Sequence, residues 1–326
     1  MYQTKKELQF FVNKLPHKTI STNRFGAKAI LCMNRKNFLK TLAILPLAGI
    51  GMNLKNLSKA TQNFANTEKM PVLFLGHGNP MNAIEENEFV SGFRKVGREI
   101  EKPTAILCIS AHWETKGTYV TAMENPRTIH DFGGFPQALY QVQYPAPGSP
   151  ALAKDVSSIV TQTSVGLDDK WGLDHGAWSV IKHLYPNADV PIVQMSLDYS
   201  KPPQYHYELA KELAVLRQKG ILIVGSGNMV HNLGMVAWNK LNETDYAYDW
   251  AAEANEKMKQ YIINGNDAAL VNYAAQGKAF QLAIPTPEHY LPLLYTLALR
   301  NNNEEVSLFN DKAVGGSLTM TSVKIA

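Results

Sequence analysis

Three of the nine histidines in this chain follow apolar, strand-like runs and sit on turns rich in Gly, Asn or Ser. His77 lies in PVLFLGHGNP, His112 in AILCISAHWE and His231 in ILIVGSGNMVHN. A fourth, His289, follows Pro285-Thr286-Pro287-Glu288, a rigid turn into a helical pattern. In open α/β sheets, ligands bind beyond the carboxyl ends of the strands. Imidazole is a common protein ligand for Zn, Fe and Cu. Three imidazoles brought to one sheet edge therefore predict a divalent metal site. His289 is either a further ligand or a residue at the edge of the site, and Glu288 could accept a ring N–H from a ligand histidine. His175, in GLDHGAWS just before a helix, is a candidate general acid/base because imidazole titrates near neutrality. Asp174 or Ser179 is expected to orient its ring. His130 lies in a long loop as a candidate substrate contact, whereas His183 and His206 sit on helical patterns and read as structural.

The elements that must position these residues alternate from Met70 onward. Strand patterns cover 71–76, 104–111, 118–123, 191–197, 221–226 and 317–325. Helical patterns cover 85–101, 149–164, 176–185, 203–219, 247–263, 267–275 and 287–300. Ser149-Pro150 is a helix-start signal, and Gly220 ends the pattern whose Leu209, Leu213 and Leu216 share a face. Strands 104–111, 191–197 and 221–226 are almost continuously apolar, as strands covered on both faces are. The expected fold is α/β, one domain over 70–326, with a central mostly parallel or mixed sheet flanked by helices. Residues 124–148 form a loop rich in Gly, Pro and aromatics, and loops of that length inside a domain are usually functional or disordered. An alternating strand would put Cys108 on the face of Ser110 and His112. With two cysteines and no CxxC pair, no disulfide framework or zinc knuckle is expected.

Charge is distributed unevenly. Residues 1–65 hold eleven of the 32 bases and one of the 28 acids, Glu7, which leaves 66–326 with a net charge of −6. A basic folded surface for nucleic acid is therefore excluded as the source of the positive total. Residues 33–60 have the layout of an export signal: Arg35, Lys36 and Lys40, then an apolar stretch from Thr41 to Leu54 that is too short for a stable membrane span. Arg35-Lys36 resembles a twin-arginine motif with Lys in the second place. The expected organisation is an upstream extension over 1–32 (with Met33 as an alternative start), a signal and polar linker over 33–69, then the domain. A periplasmic or exported location follows from the signal, and a cytoplasmic one without it.

The segments LGHGNPMNAIEEN, ISAHWE, TIHDFGGFPQALYQVQYPAPGSP, GLDHGAWSVIKHLYP, PIVQMSLD, VGSGNMVHNL, PEHYLPLLYTLA and GGSLTMTSV, in this order, resemble the class III extradiol ring-cleavage dioxygenases of the DOPA 4,5-dioxygenase type. They span nearly all of 71–323. A small departure is Gly76-His77-Gly78, where many members carry a neighbouring serine. The resemblance implies one divalent metal ion, Fe(II) or Zn(II), held by His77, His112 and His231, with His289 as a fourth histidine at the metal or its edge. It implies His175 as acid/base, and a small catecholic, DOPA-like substrate opened with O2. Trp113, Phe132, Phe135, Tyr140 and Trp178 would then line an aromatic pocket, with His130 on its polar side. Two alternatives use the same residues: a zinc-dependent hydrolase with His175 as base, and a non-catalytic binding protein on the same scaffold.

Overall fold

Continuous apolar strands need cover on both faces, and the sheet of this protein has it. The computed structural model describes residues 64–241 and 243–326. The upstream extension and the export-signal pattern of residues 33–60 lie outside the described residues. In chain order the elements are β1 (Val72–Gly76), α1 (Glu88–Glu99), β2 (Ala105–Thr115), β3 (Thr118–Thr121), α2 (Gln137–Tyr140), α3 (Pro150–Ile159), β4 (Val165–Asp168) and α4 (His175–Leu184). There follow β5 (Ile192–Asp198), α5 (Pro203–Glu212), β6 (Ile221–Gly227), α6 (Asp249–Asn264), α7 (Asp267–Val271), α8 (Lys278–Ala283) and α9 (Leu291–Ala298). The chain closes with β7 (Val306–Phe309), β8 (Ala313–Val314), β9 (Leu318–Thr319) and β10 (Ser322–Ile325).

Eight strands make one mixed sheet in the order β4-β3-β5-β2-β6-β1-β10-β7. Its centre, β5-β2-β6-β1, is parallel, while β10 and β7 add antiparallel at one side. Alternation along β1 and β2 sends Phe74, Leu107 and Ile109 into one buried cluster and Leu73, Leu75, Ile106 and Cys108 into the other. Cys108 thus sits on the face of β2 that the sequence indicated. Among the described residues, no helix is long and apolar enough to cross a membrane.

Helix signals act as expected at α3, where Ser149 Oγ accepts from Leu152 N–H at 3.2 Å with Pro150 in the first turn. The helix pattern of 203–219 is tighter at its end: α5 stops at Glu212, and Leu213–Lys219 continues as a 3-10 helix to Gly220, whose φ is 74°. This shorter turn brings Arg217 inward. Its side chain is 1% exposed, donates to the carbonyls of Met70 and Leu299 at 2.7 Å each, and forks onto the Glu304 carboxylate. Lys69 reaches the same carboxylate at 2.9 Å. Burial raises the Glu304 carboxyl, but the Arg217 and Lys69 bonds outweigh it and hold the pKa down to about 2. Removing one partner of a buried pair strands the other, at a cost of about 3–5 kcal/mol. Arg217→Met is expected near the lower end, about 3 kcal/mol by urea denaturation, because Lys69 remains. With its folded pKa depressed, Glu304 stabilises fully above the ordinary carboxylate range, and that contribution is lost as pH falls toward about 2.

Candidate metal centre

The parallel strands end together. Gly76 pairs with Gly227 across β1 and β6, and Ser110 with Ser226 across β2 and β6. His77 follows β1 directly. His112 lies inside β2, in the stretch between Ile109 and Glu114 where the register against β5 shifts. Such irregularities re-aim side chains at sheet ends. His231 arrives four residues after β6 and bridges to Leu318 of β9. His175 is the first residue of α4, which Asp174 caps by accepting from Ala177 N–H at 3.0 Å. His289 is placed by its carbonyl, which accepts from Asn228 N–H at 2.8 Å. Two glycines make the approach possible. A Cβ on Gly176 would lie 2.7 Å from the His112 ring and 2.6 Å from Ser110 Oγ; one on Gly227 would lie 2.1 Å from the His289 carbonyl oxygen.

All five histidines border one cavity of about 360 Å³, together with Phe132, Phe135, Trp238, Leu233 and Met320. The Nε2 atoms of His77 and His112 are 3.2 Å apart. Two imidazoles bonded to one ion at about 2.0–2.1 Å span about 3 Å, so this pair fits a shared metal. The rings of His77, His112 and His289 form a near-equilateral triangle, with centroid separations of 5.0, 5.2 and 5.0 Å. His231 stacks parallel on His289 at 3.5 Å. The His175 ring lies 3.9 Å from that of His112, tilted by 47°, and 5.9 Å from that of His77. The ligand-capable atoms of His77, His112 and His175 also lie within 4.8 Å of one another, as do those of His231, Glu288 and His289. Of the four histidines the sequence grouped at the metal, His231 and His289 lie against each other, and all four border the same cavity.

Hydrogen bonds decide which nitrogen each ring presents. Ser226 donates its hydroxyl to the Gly176 carbonyl at 2.5 Å, so at 3.0 Å from His77 Nδ1 it accepts that N–H and leaves Nε2 bare. Glu288 Oε1 accepts from His289 Nδ1 at 3.0 Å, the role expected of it. Asp131 Oδ2 lies 3.0 Å from His175 Nδ1 and 3.6 Å from His112 Nδ1, while its Oδ1 accepts the His175 backbone N–H at 2.8 Å. Burial lowers the His112 pKa to about 3, helped by the neighbouring His175, and lowers that of His231 to about 4. Burial, then the surrounding imidazoles, also keeps His77 and His289 well below the ordinary histidine value. Neutral imidazole is the form a metal binds. For Asp131, burial acts upward but the His175 bonds outweigh it, so it stays ionised.

Ser226→Ala removes the acceptor that fixes the His77 tautomer. Losing such a partner typically costs about 10–100-fold in metal affinity. That loss is the expected result of chelator competition, with the fold unchanged by circular dichroism.

Several sequence expectations need correction. Neither Asp174 nor Ser179 orients His175; Asp174 is spent on the helix cap and on Ser110 at 2.6 Å, and Asp131 does the orienting. Trp113 does not border the cavity: it is 4% exposed and stacks on Trp171 at 5.7 Å. His130 stands behind Phe132 and donates to the Val142 carbonyl at 2.9 Å, fastening its own loop. Trp178 is fully buried and Tyr140 packs on Phe132, so of the expected aromatic lining only Phe132 and Phe135 reach the cavity. Asp131 and Ser226 were missed. The faint signal for Asp131 was its place before Gly133-Gly134 in the long loop, and for Ser226 its place between two glycines at a strand end.

Residues 68–308 match the family model described as the catalytic LigB subunit of aromatic ring-opening dioxygenase. The chain belongs to the LigB family. It is 47% identical over 264 residues to the 4,5-DOPA dioxygenase extradiol of Escherichia coli (strain K12), covering 80% of this chain and 96% of that one. The Beta vulgaris protein of the same name is 36% identical, over 77% of this chain and 94% of its own. A crystal structure of an uncharacterized protein from Escherichia coli K12 superimposes with a TM-score of 0.69 at 43% identity, covering 79% of this chain and all of that one. As a LigB-family member this protein is an extradiol, ring-opening dioxygenase, and the family's metal dependence agrees with the buried histidine cluster. That membership sets aside the hydrolase and binding-protein alternatives.

Proposed function

We propose that this protein opens the ring of a catechol beside one hydroxyl, with both atoms of O2 entering the product, at Fe(II) held by His77, His112 and His289. The observation that carries the reading is the 3.2 Å approach of the His77 and His112 Nε2 atoms, with the His289 ring centroid 5.0–5.2 Å from both of their rings, in a cavity that Phe132 and Phe135 border. Three nitrogen donors on one side of an ion leave open positions, and ring opening by O2 asks for a redox-active ion, which Zn(II) is not. When bound, the ion would hold the two catechol oxygens and O2 together and lower the pKa of the first hydroxyl.

The remaining work falls to side chains. Phe132 and Phe135 offer apolar surface to the ring and keep water from it. His175, its Nδ1 held against Asp131, presents Nε2 as the proton acceptor for the catechol hydroxyl and returns that proton as the ring opens. His231 borders the cavity beside His289 and supplies a polar contact to the substrate rather than a bond to the ion. The product is a ring-opened hydroxymuconate semialdehyde. The test is anaerobic reconstitution with Fe(II), then O2 uptake and the yellow product with a panel of catechols, one O2 per ring opened. A Zn(II)-loaded sample should be inactive. Absence of ring-opened product from the iron-loaded protein across the panel would sink the reading.

A further inference from the structure

One carboxylate beside the metal centre is fully buried and does not border the cavity. It belongs to Asp174, the residue before His175. Its side chain joins three elements. Oδ1 accepts from Ala177 N–H of α4 at 3.0 Å and from Ser110 Oγ of β2 at 2.6 Å. Oδ2 accepts from Gln194 Nε2 of β5 at 2.7 Å and from Trp171 Nε1 at 3.4 Å. Ser110 Oγ in turn accepts from His112 N–H at 3.3 Å. The carboxylate thus ties the strand that carries His112 to the helix that begins with His175. The first turn of α4 has no slack against β2: a Cβ on Gly176 would lie 3.3 Å from Asp174 Oδ1 and 2.6 Å from Ser110 Oγ.

The polarity of this cluster is locked. Gln194 Oε1 accepts the Asp174 backbone N–H at 2.9 Å, so the Gln194 amide cannot turn round without setting its NH2 against that N–H. The four groups bonded to the Asp174 side chain are all donors, which suits an ionised carboxylate. Burial, then Asp131, pushes its pKa upward, and the Ser110 and Gln194 bonds pull it back. An amide at position 174 would have one acceptor oxygen. With that oxygen kept on Ser110 and Ala177, its NH2 would face the Gln194 NH2, donor against donor. A buried network holds one geometry when every member is satisfied and gives way when one is not.

We infer that Asp174 is a positioning residue: it fixes where His175 stands relative to His112, and so to the metal, while Asp131 sets how the His175 ring is turned. This deepens the catechol-cleaving reading and rests on it. The test compares Asp174→Asn with the exchange Asp174→Asn/Gln194→Glu in the full chain. In the exchange the amide at 174 donates to one carboxylate oxygen at 194, and the other oxygen keeps the backbone N–H of residue 174. The first readout needs no turnover. Crystal structures should show the 3.9 Å separation of the His112 and His175 rings changed by about 1 Å in Asp174→Asn and restored in the exchange. The second is single-turnover opening of 4-methylcatechol by the Fe(II)-loaded protein. Asp174→Asn should be about 10–10²-fold slower per iron-loaded chain, with KM within about twofold, because a misplacement of about 1 Å can cost 10²-fold. The exchange should recover most of that rate. Ser110→Ala, which leaves the helix cap in place, should slow the step about three- to tenfold, and it decides the matter if Asp174→Asn does not fold. A merely structural role predicts lower stability with the rate per iron-loaded chain unchanged. The inference is overturned if the rings keep their separation in Asp174→Asn, if that variant or Ser110→Ala turns over at the wild-type rate, or if the exchange stays as slow as the single variant. Should the wild type open no catechol, the reaction reading fails by itself, and the ring separation decides this inference alone.

Discussion

His112→Ala is expected to lower catechol kcat/KM by about 10³-fold or more and to empty the metal site. Its Nε2 faces that of His77 at 3.2 Å, close to the separation of two nitrogens bonded to one ion. A bound ion supplies several kcal/mol of transition-state stabilisation, and each 1.36 kcal/mol is a factor of ten. The informative comparison is with His289→Ala and His231→Ala. The triangle of rings predicts that His289→Ala behaves like His112→Ala, while His231→Ala keeps about one metal per chain and loses activity mainly through substrate contact. Metal analysis of anaerobically purified protein, paired with O2 uptake, reads both. The reverse pattern, with His231→Ala empty and His289→Ala loaded, would restore the grouping inferred from the strand ends and reject the triangle.

His175→Ala is expected to lower kcat by about 10²–10⁴-fold, the usual worth of a positioned acid/base, while metal content and KM change little. Asp131→Asn should reproduce a large part of this loss without removing the imidazole. Asp131 Oδ2 lies 3.0 Å from His175 Nδ1, and its negative charge there favours the ring proton on Nδ1 and keeps Nε2 free to act as a base. An amide can present N–H at that place and drive the proton to Nε2, the tautomer that cannot accept. Mixing the anaerobic enzyme–catechol complex with O2 and following product in a single turnover separates this chemical defect from binding. A KM effect with unchanged single-turnover rate would remove His175 from proton transfer.

The strands that carry the site were legible because their composition leaves little choice. β1, β2, β5 and β6 are apolar on both faces, and only a sheet covered on both sides accepts such runs. The short strands β4 and β7 were not legible: Val165–Asp168 and Val306–Phe309 are half-polar segments that become strands through pairing with a neighbour. The apolar stretch 317–325 was one strand by pattern. It divides because Leu318–Thr319 pairs with β8 while Ser322–Ile325 joins the main sheet, a division made by partners far away in sequence. The helix pattern of 267–275 likewise divides into α7 and a 3-10 turn at Tyr273–Ala275, and α8 was not recognised at all.

By itself the sequence determined that histidines stand at the ends of core strands, that His175 opens a helix, and that the ordered motifs point to ring-opening dioxygenases. The first two follow from local spacing, which the chain carries directly; the third is a resemblance carried by the ordered segments. Only the tertiary structure decided how the five imidazoles divide: His289 closing the triangle with His77 and His112, His231 stacked beside it, and His175 tied to Asp131. It alone turned Trp113 onto Trp171 and set His130 behind Phe132. The reason is directional. Where a side chain points depends on the register shift in β2 and on hydrogen bonds such as Ser226 to His77, formed between residues 149 positions apart. No spacing along the chain encodes such a contact until the sheet brings its two ends together.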